Sequence, residues 1–310
     1  MKKPQPNPNK QRSAPVTNQL PPPATIISEH HDTLGISYLR AGDHGPVTVL
    51  LHGWGAFKEL WWMTLRDFGR DYRCFALDFP GHGGSPIGRA DTIVGLADAV
   101  AAFCDDLGLR DVTLFGHSMG GCVATELALR RPDLLLRLIL VDAAVDARHM
   151  PTFAHTYMHS QVGWPALRVS QMIGRAIRPM GKQIPHEHGG GWLRPWMRRA
   201  SYLASFDPDG LHRQLRSLFA SQGGNRLAQI ATPTLVISGQ LDALVPAPLS
   251  RHLATRIPGA RYVEIPMAMH NPMDERPRAF CRTARQFLDE QQSPESLEGL
   301  LTILLPTTPT

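Results

Sequence analysis

A pentapeptide at residues 116–120, Gly-His-Ser-Met-Gly, lies between an apolar run at 112–115 and an alanine- and leucine-rich stretch at 122–130. The run predicts a strand and the stretch predicts a helix, so Ser118 is expected on a sharp strand-to-helix turn. Glycine two residues to either side removes the Cβ atoms that would collide across such a bend. The turn would present the serine hydroxyl at a helix N-terminus, where a developing negative charge is stabilised.

Length and composition set the class of protein. The 310 residues are 43% hydrophobic and 19% charged, which is typical of a large globular domain, and no apolar run approaches the roughly 20 residues of a membrane helix. Residues 1–23 are rich in Pro, Asn and Gln and lack the apolar core of a secretory signal, so we expect a disordered tail and a cytoplasmic protein. The four cysteines have no C-x-x-C spacing, which predicts buried free thiols.

Strand and helix patterns alternate along most of the chain. Segments 24–30 and 35–40 predict a hairpin, and amphipathic patterns at 92–109 and 277–288 predict helices. Six short apolar runs are typical of strands buried on both faces: 47–51, 74–77, 112–115, 138–141, 234–237 and 262–265. The sequence therefore predicts an α/β fold with a mostly parallel central sheet flanked by helices.

One connection interrupts this alternation. Residues 144–226 contain no buried strand pattern but have several tryptophans and helix-like patches, which predicts an inserted helical cap with a flexible joint at 189–191. The predicted domains are therefore a disordered tail at 1–23, a core at 24–143 and 227–291, the cap at 144–226 and a C-terminal tail at 292–310.

The same segment carries the net positive charge of the chain. Residues 144–226 hold eleven basic and four acidic side chains, a net charge of +7, whereas the whole chain has +5. A solvated basic face would explain this charge, and so would an anionic substrate or an acidic partner.

A serine hydroxyl attacks a carbonyl only if a base removes its proton, and a carboxylate usually orients that base. His270 and Asp242 follow two of the predicted strands, at the edge where open α/β sheets place ligands, in the chain order Ser, Asp, His. We predict that these three residues form a catalytic triad. Asp142, at the end of another strand, is an alternative acid.

A tetrahedral intermediate needs two hydrogen-bond donors aimed at its oxygen. The Met119 N–H directly follows the serine and is the first candidate. The loop at 52–55, His-Gly-Trp-Gly, follows the strand at 47–51, and its glycines allow a sharp approach to the serine. We predict that the Trp54 N–H is the second donor.

These motifs, together with Asp-Phe-Pro-Gly-His-Gly-Gly-Ser at 78–85, resemble the α/β-hydrolase fold superfamily over roughly residues 26–288. In that superfamily the 78–85 segment is a structural turn, so no catalytic role is expected for it. Segments 52–55 and 241–246 are similar to carboxylesterases that cleave pimeloyl-carrier methyl esters, although those commonly have Trp-Ser-Leu where this chain has His-Ser-Met. The resemblance implies that basic cap residues receive an acidic carrier protein.

The sequence thus predicts a serine hydrolase, most similar to carboxylesterases, that cleaves an ester or related acyl compound. The substrate-binding residues are expected to be His117, Trp164, Arg198 and Arg199. Phosphate-cradling glycine motifs are absent and the His-rich pairs at 30–31 and 186–188 lack a third ligand, so we expect no cofactor, no metal and no nucleic-acid partner. Alternatives are a non-catalytic ligand-binding protein on the same scaffold, an acyltransferase, or a C–C bond hydrolase using the same triad.

Overall fold

The computed structural model describes residues 23–88, 90–156, 159, 161–181 and 202–290. Within these ranges eight strands form one sheet in the order β1-β2-β4-β3-β5-β6-β7-β8. The pairs β1/β2 and β2/β4 are antiparallel and all other neighbours are parallel, which confirms the predicted fold class. The strands are β1 (Ile26–His31), β2 (Ile36–Ala41), β3 (Val47–Leu51), β4 (Arg73–Leu77), β5 (Val112–His117), β6 (Leu135–Val141), β7 (Thr234–Gly239) and β8 (Arg261–Ile265).

Helices cover both faces of the sheet. Thr92 caps α2 by accepting a hydrogen bond from Gly95 N–H at 3.0 Å, and Asp207 caps α6 in the same way from Gly210 at 2.9 Å. No helix in the described part of the chain is long and apolar enough to cross a membrane. The helices are α1 (Trp62–Phe68), α2 (Ile93–Asp106), α3 (Met119–Arg130), α4 (Thr152–Thr156), α5 (Gly163–Gly181), α6 (Pro208–Ala220), α7 (Ala247–Arg256), α8 (Pro272–Glu275) and α9 (Pro277–Glu290), with short 3-10 turns at Lys58–Trp61, Pro132–Leu134, Ala147–His149, Leu203–Ser205 and Gly223–Gln229.

The sheet separates two hydrophobic cores. Successive side chains of a strand point to opposite faces, so Val49 and Leu51 of β3 join one core whereas Leu50 joins the other. The second core is aromatic, with Trp61 and Phe280 packed around Phe115 at ring-centroid distances of 6.0 and 6.3 Å. All four cysteines are buried free thiols, as expected.

The chain between β6 and β7 contains helices α4 to α6 and, in its described part, no strand. Its basic charge is partly compensated, since Arg148, Arg168, Arg213 and Arg226 pair with acidic side chains. The exact limits of the cap stay a prediction. The predicted N-terminal tail except for Pro23 and the whole predicted C-terminal tail lie outside the described residues. So do the predicted joint at 189–191 and the predicted substrate contacts Arg198 and Arg199.

The aromatic core predicts a large effect of one truncation. Phe280→Ala should lower the free energy of unfolding by about 3–5 kcal/mol, because it removes a fully buried ring and leaves a cavity between α9 and β5. Chemical denaturation measures the change. The control is Phe153→Ala, whose ring is 55% exposed and whose loss should cost less than about 0.5 kcal/mol. Equal effects of the two substitutions would contradict this account of the core.

Candidate active site

Ser118 lies on the turn between β5 and α3. Its backbone has φ 52° and ψ −117°, a conformation that costs a non-glycine residue about 1–3 kcal/mol. Hydrogen bonds on both sides hold it: the Ser118 N–H donates to the Val141 carbonyl at 3.0 Å, and the Ser118 carbonyl accepts from the N–H of Ala144 at 3.0 Å. The strand-to-helix turn predicted from the sequence is therefore present, and β6 supports it.

The two glycines of the pentapeptide are needed for close approach. A Cβ on Gly116 would lie 2.5 Å from the Gly120 carbonyl oxygen, and a Cβ on Gly120 would lie 2.4 Å from the His52 carbonyl oxygen. Backbone cannot yield to such contacts without moving the turn. The first glycine lets α3 start directly against β5, and the second lets the loop after β3 pass beside the serine.

The structure brings Ser118, His270 and Asp242 together in hydrogen-bond sequence. His270 Nε2 lies 3.1 Å from Ser118 Oγ, and His270 Nδ1 lies 2.7 Å from Asp242 Oδ2. The other oxygen, Asp242 Oδ1, accepts the N–H groups of Leu244 and Val245 at 2.7 and 3.0 Å, which fixes the carboxylate. Such an arrangement can pass the serine proton to the imidazole while a buried carboxylate holds the ring.

His117, the residue before the serine, contacts both the backbone and the ring of His270. Its Nε2 donates to the His270 carbonyl at 2.7 Å, and the two rings are 4.8 Å apart. The side chain is buried, with only 2% of its surface exposed. A contact between His117 and substrate stays a prediction, while the observed bond makes it a positioning residue for His270.

The loop after β3 passes directly beside the serine. A Cβ on Gly53 would lie 2.9 Å from Ser118 Cβ and 3.0 Å from His117 Nδ1, so only glycine fits there. On the other side, Met119 begins α3, and the N–H groups of a first helical turn have no intrahelical acceptor. Gly53, which precedes Trp54, thus approaches Ser118 on one side and Met119 follows it on the other. The roles of the Met119 and Trp54 N–H groups as oxyanion donors stay a prediction.

Two buried histidines, His52 and His82, hold this loop in place, although the sequence motifs that contain them did not indicate this role. His52 Nε2 accepts the Phe79 N–H at 3.1 Å, and His82 Nε2 accepts the Gly55 N–H at 3.1 Å. Burial lowers the pKa of His52 and of His82 to about 3, so both rings stay neutral and can accept these bonds at ordinary pH.

An ion pair anchors the same region. Lys58 Nζ lies 2.6 Å from Asp78 Oδ2, and Asp78 also accepts the N–H groups of Lys58 and Gly84 at 2.8 and 2.9 Å. Asp78 therefore has the structural role that the resemblance implies. The one sequence signal for this ion pair is the charged dipeptide Lys58-Glu59 within an otherwise apolar stretch, Phe-Lys-Glu-Leu-Trp-Trp at 57–62.

Comparison with known proteins agrees with this geometry. A sequence model described as the alpha/beta hydrolase fold matches residues 46–277. The chain belongs to the α/β-hydrolase fold family. It is 31% identical over 254 residues to a putative carbamate hydrolase RutD of Pseudomonas syringae, covering 79% of this chain and 95% of that protein. It is likewise 31% identical over 264 residues to a pimeloyl-[acyl-carrier protein] methyl ester esterase of Aeromonas hydrophila, covering 82% and 100%.

Solved structures agree on the fold. An enol-lactonase from Burkholderia xenovorans has a TM-score of 0.65 and 25% identity, covering 82% of this chain and 96% of that one. A thermophilic esterase from Thermogutta terrifontis has a TM-score of 0.64 at 24% identity, covering 83% and 94%, and supports the fold alone. This α/β hydrolase is thus an enzyme, and the relatives to which it is similar include esterases.

The chain between β6 and β7, where the sequence predicts a cap, contacts the loop beside the serine. Trp54 Nε1 donates to the Leu211 carbonyl of α6 at 2.8 Å, and its ring packs against a small cluster formed by Leu167, Phe206 and Leu211. Phe206 thus contributes to the contact between this segment and the core.

The predicted substrate contact Trp164 has other partners in this structure. Its Nε1 donates to the Asp209 carboxylate, and the Arg168 guanidinium lies 4.0 Å above the indole ring. Both partners belong to the cap. A contact between Trp164 and substrate therefore stays a prediction.

The close approach of the loop to the serine predicts a severe effect of one methyl group. Gly53→Ala should lower kcat/KM for ester substrates by about 100-fold or more, because the Cβ would displace Ser118 or His117 from its position. Steady-state kinetics measure the loss. Gly88→Ala is the matched control, since a Cβ there meets no atom within 4 Å and should leave kcat/KM unchanged. Full activity of the Gly53 variant would refute the described contact.

Proposed function

We propose that this α/β hydrolase acts in the cytoplasm as a serine hydrolase on carboxylic esters or related acyl compounds. Ser118 Oγ attacks the carbonyl carbon while His270 Nε2 takes the hydroxyl proton, and the imidazolium then gives that proton to the leaving alcohol. Water, deprotonated by the same imidazole, attacks the acyl-enzyme and releases the acid and free Ser118. Asp242 holds the ring, and the N–H groups of Met119 and Trp54 stabilise the oxyanion.

The continuous hydrogen-bond path from Ser118 Oγ through His270 to Asp242, with distances of 3.1 and 2.7 Å, carries this proposal. The strained turn that presents the hydroxyl and the close approach of Gly53 to Ser118 support the same chemistry. Relatives named pimeloyl-[acyl-carrier protein] methyl ester esterases favour ester cleavage as the reaction class.

An apolar cavity of about 170 Å³ lies between the chain that follows β6 and helix α7, next to Val245, whose N–H holds Asp242. Most of its walls are aliphatic, and Asp146, His252 and Arg256 add charged or polar groups of both signs. None of Ser118, Asp242 and His270 lines it, so this cavity does not identify the acyl-binding site.

A covalent probe tests the nucleophile. A fluorophosphonate should label the folded enzyme at Ser118, and Ser118→Ala should abolish labelling and lower kcat on p-nitrophenyl esters by about 10⁴-fold or more. Mass spectrometry locates the label. Ser28→Ala, on exposed edge strand β1, is the matched control and should change neither labelling nor kcat. Absence of label on Ser118, with a known serine hydrolase labelled in the same tube, would favour the ligand-binding alternative.

We further propose that the basic cap receives an acidic carrier protein bearing the acyl chain. The net charge of +7 in residues 144–226 supports this partner, and the name of the Aeromonas relative includes such a carrier. Arg175 and Arg178 on α5 belong to the described part of this basic segment and are exposed.

The carrier proposal predicts a salt dependence confined to one substrate. For a methyl ester attached to acyl carrier protein, 0.5 M NaCl should lower kcat/KM by about tenfold, because salt screens attraction between the opposite charges. The same acyl methyl ester free in solution should change by less than about twofold. At low salt, the double variant Arg198→Ala and Arg199→Ala should show the same loss of kcat/KM for the carrier-bound ester that salt causes in wild type. Arg110→Ala, an exposed arginine outside residues 144–226, should not. Equal salt responses of both substrates would exclude a carrier.

A further inference from the structure

Asp142, the first residue after β6, has a buried side chain fixed by the neighbouring strand. Its N–H donates to the Ile237 carbonyl at 2.9 Å, and its Oδ1 accepts the Gly239 N–H at 2.9 Å. The backbone φ is 42°, a left-handed value that few side chains other than Asn and Asp adopt readily. The side chain has no exposed surface, so solvent does not hydrate the carboxyl group.

Two carboxyl groups meet at this point. Asp142, Asp242 and His270 each offer a ligand atom, and these three atoms lie within 4.8 Å of one another. Among the described residues no hydrogen-bond donor reaches Asp142 Oδ2, although this oxygen is fully buried. A buried acceptor without a donor is rare, and two adjacent buried carboxylates repel each other strongly. One proton placed between the two groups removes both problems.

The donors around each group decide which one keeps the proton. Asp242 accepts hydrogen bonds from two backbone N–H groups and from the imidazole, so both of its oxygens already have donors. The Asp142 side chain accepts one hydrogen bond, from the Gly239 N–H to Oδ1, and its Oδ2 has no donor among the described residues. Burial first, and then the charge of Asp242, raise the pKa of Asp142 well above its usual range, and the charge of Glu275 acts in the same direction.

We propose that Asp142 is a positioning residue that stays protonated at the pH of catalysis and donates a hydrogen bond from Oδ2 to the Asp242 carboxylate. The pair then carries one negative charge, so that Asp242 is held on the side away from His270 while the imidazole faces one anion and not two. This role rests on the proposed function of the triad. Among the described residues, the titratable groups near Asp142 include Asp242 on the turn after β7, His270 after β8 and Glu275 on α8. His117, at the end of β5, pairs with Val141, the residue before Asp142.

Kinetics test the role with two variants. Asp142→Ala should lower kcat about tenfold with little change in KM, because Asp242 loses a donor that orients it. Asp142→Asn replaces the acid by a neutral amide donor and should restore kcat to within about threefold, with the acid limb of the kcat/KM–pH profile at its wild-type midpoint. Asp111→Asn is the matched control, an exposed aspartate that also has positive φ (53°) and should change nothing.

A shift of that midpoint to lower pH by about one unit in Asp142→Asn would overturn the proposal. It would mean that an ionised Asp142 had been stabilising the imidazolium, because removing a nearby negative charge makes protonation of the ring less favourable. Loss of wild-type activity in EDTA would overturn it as well, since the three clustered ligand atoms would then be holding a cation.

Stability measurements do not depend on catalysis. The native state keeps a proton on Asp142 at pH values where the unfolded chain, with a carboxyl pKa near 3.8, has released it. The contribution of Asp142 to the free energy of unfolding therefore falls as pH rises above about 4, until the native carboxyl also ionises. The unfolding constant of wild type relative to Asp142→Asn should rise by up to about tenfold per pH unit in that window. A ratio that is flat with pH would contradict a protonated Asp142.

Carbon-13 NMR of the wild-type protein covers the case in which a variant does not fold. The Asp142 carboxyl resonance, assigned with aspartate labelling, should stay at its protonated shift at pH 6, while exposed aspartates show ionised shifts. An ionised shift at pH 6 would refute the proposal. Both this measurement and the stability series remain decisive if Ser118 fails to react with the fluorophosphonate, so failure of the proposed function and failure of this inference are distinguishable.

Discussion

The backbone of Ser118, held at φ 52° between β5 and α3, sets the distances in the rest of the candidate site. At this point a strand, a helix and the loop after β3 converge so closely that Gly53, Gly116 and Gly120 leave no room for a Cβ. Hydrogen bonds from the end of β6 and the chain after it hold the turn in its unfavourable conformation. The sheet thus supplies the energy that keeps one hydroxyl in a position it would not adopt alone.

The polar residues beneath the loop have a complementary role. Lys58 and Asp78 form a buried ion pair in which the Asp78 carboxylate also accepts two backbone N–H groups and the Lys58 ammonium also reaches Glu59. His52 and His82 accept further N–H groups as neutral rings. Breaking a buried pair by removing one partner typically costs about 3–5 kcal/mol, since the other charge is left uncompensated. A site that depends on donors fixed within a few tenths of an ångström needs a rigid support of this kind.

Much of the fold is predictable from the sequence because central parallel strands are apolar on both faces. The run at 47–51 predicts a strand with the limits that β3 has in the structure. Ser118 has a local signature, and Asp242 and His270 follow strands in the expected order, so their convergence is predictable too. The choice between Asp142 and Asp242 is different, because it depends on side-chain directions across two strands. The Lys58–Asp78 pair, 20 residues apart, likewise has no local pattern.

Trp54 joins two parts of the molecule through a single residue. It follows Gly53, whose backbone lies against the proposed nucleophile, and its indole donates to the carbonyl of Leu211 in helix α6. Any displacement of α6 by a bulky acyl group would be transmitted by that bond to the backbone at 53–54, within one residue of the serine contact. The inserted segment would then discriminate among substrates through the rate of bond cleavage itself, and a poor fit would lower turnover even when affinity is preserved.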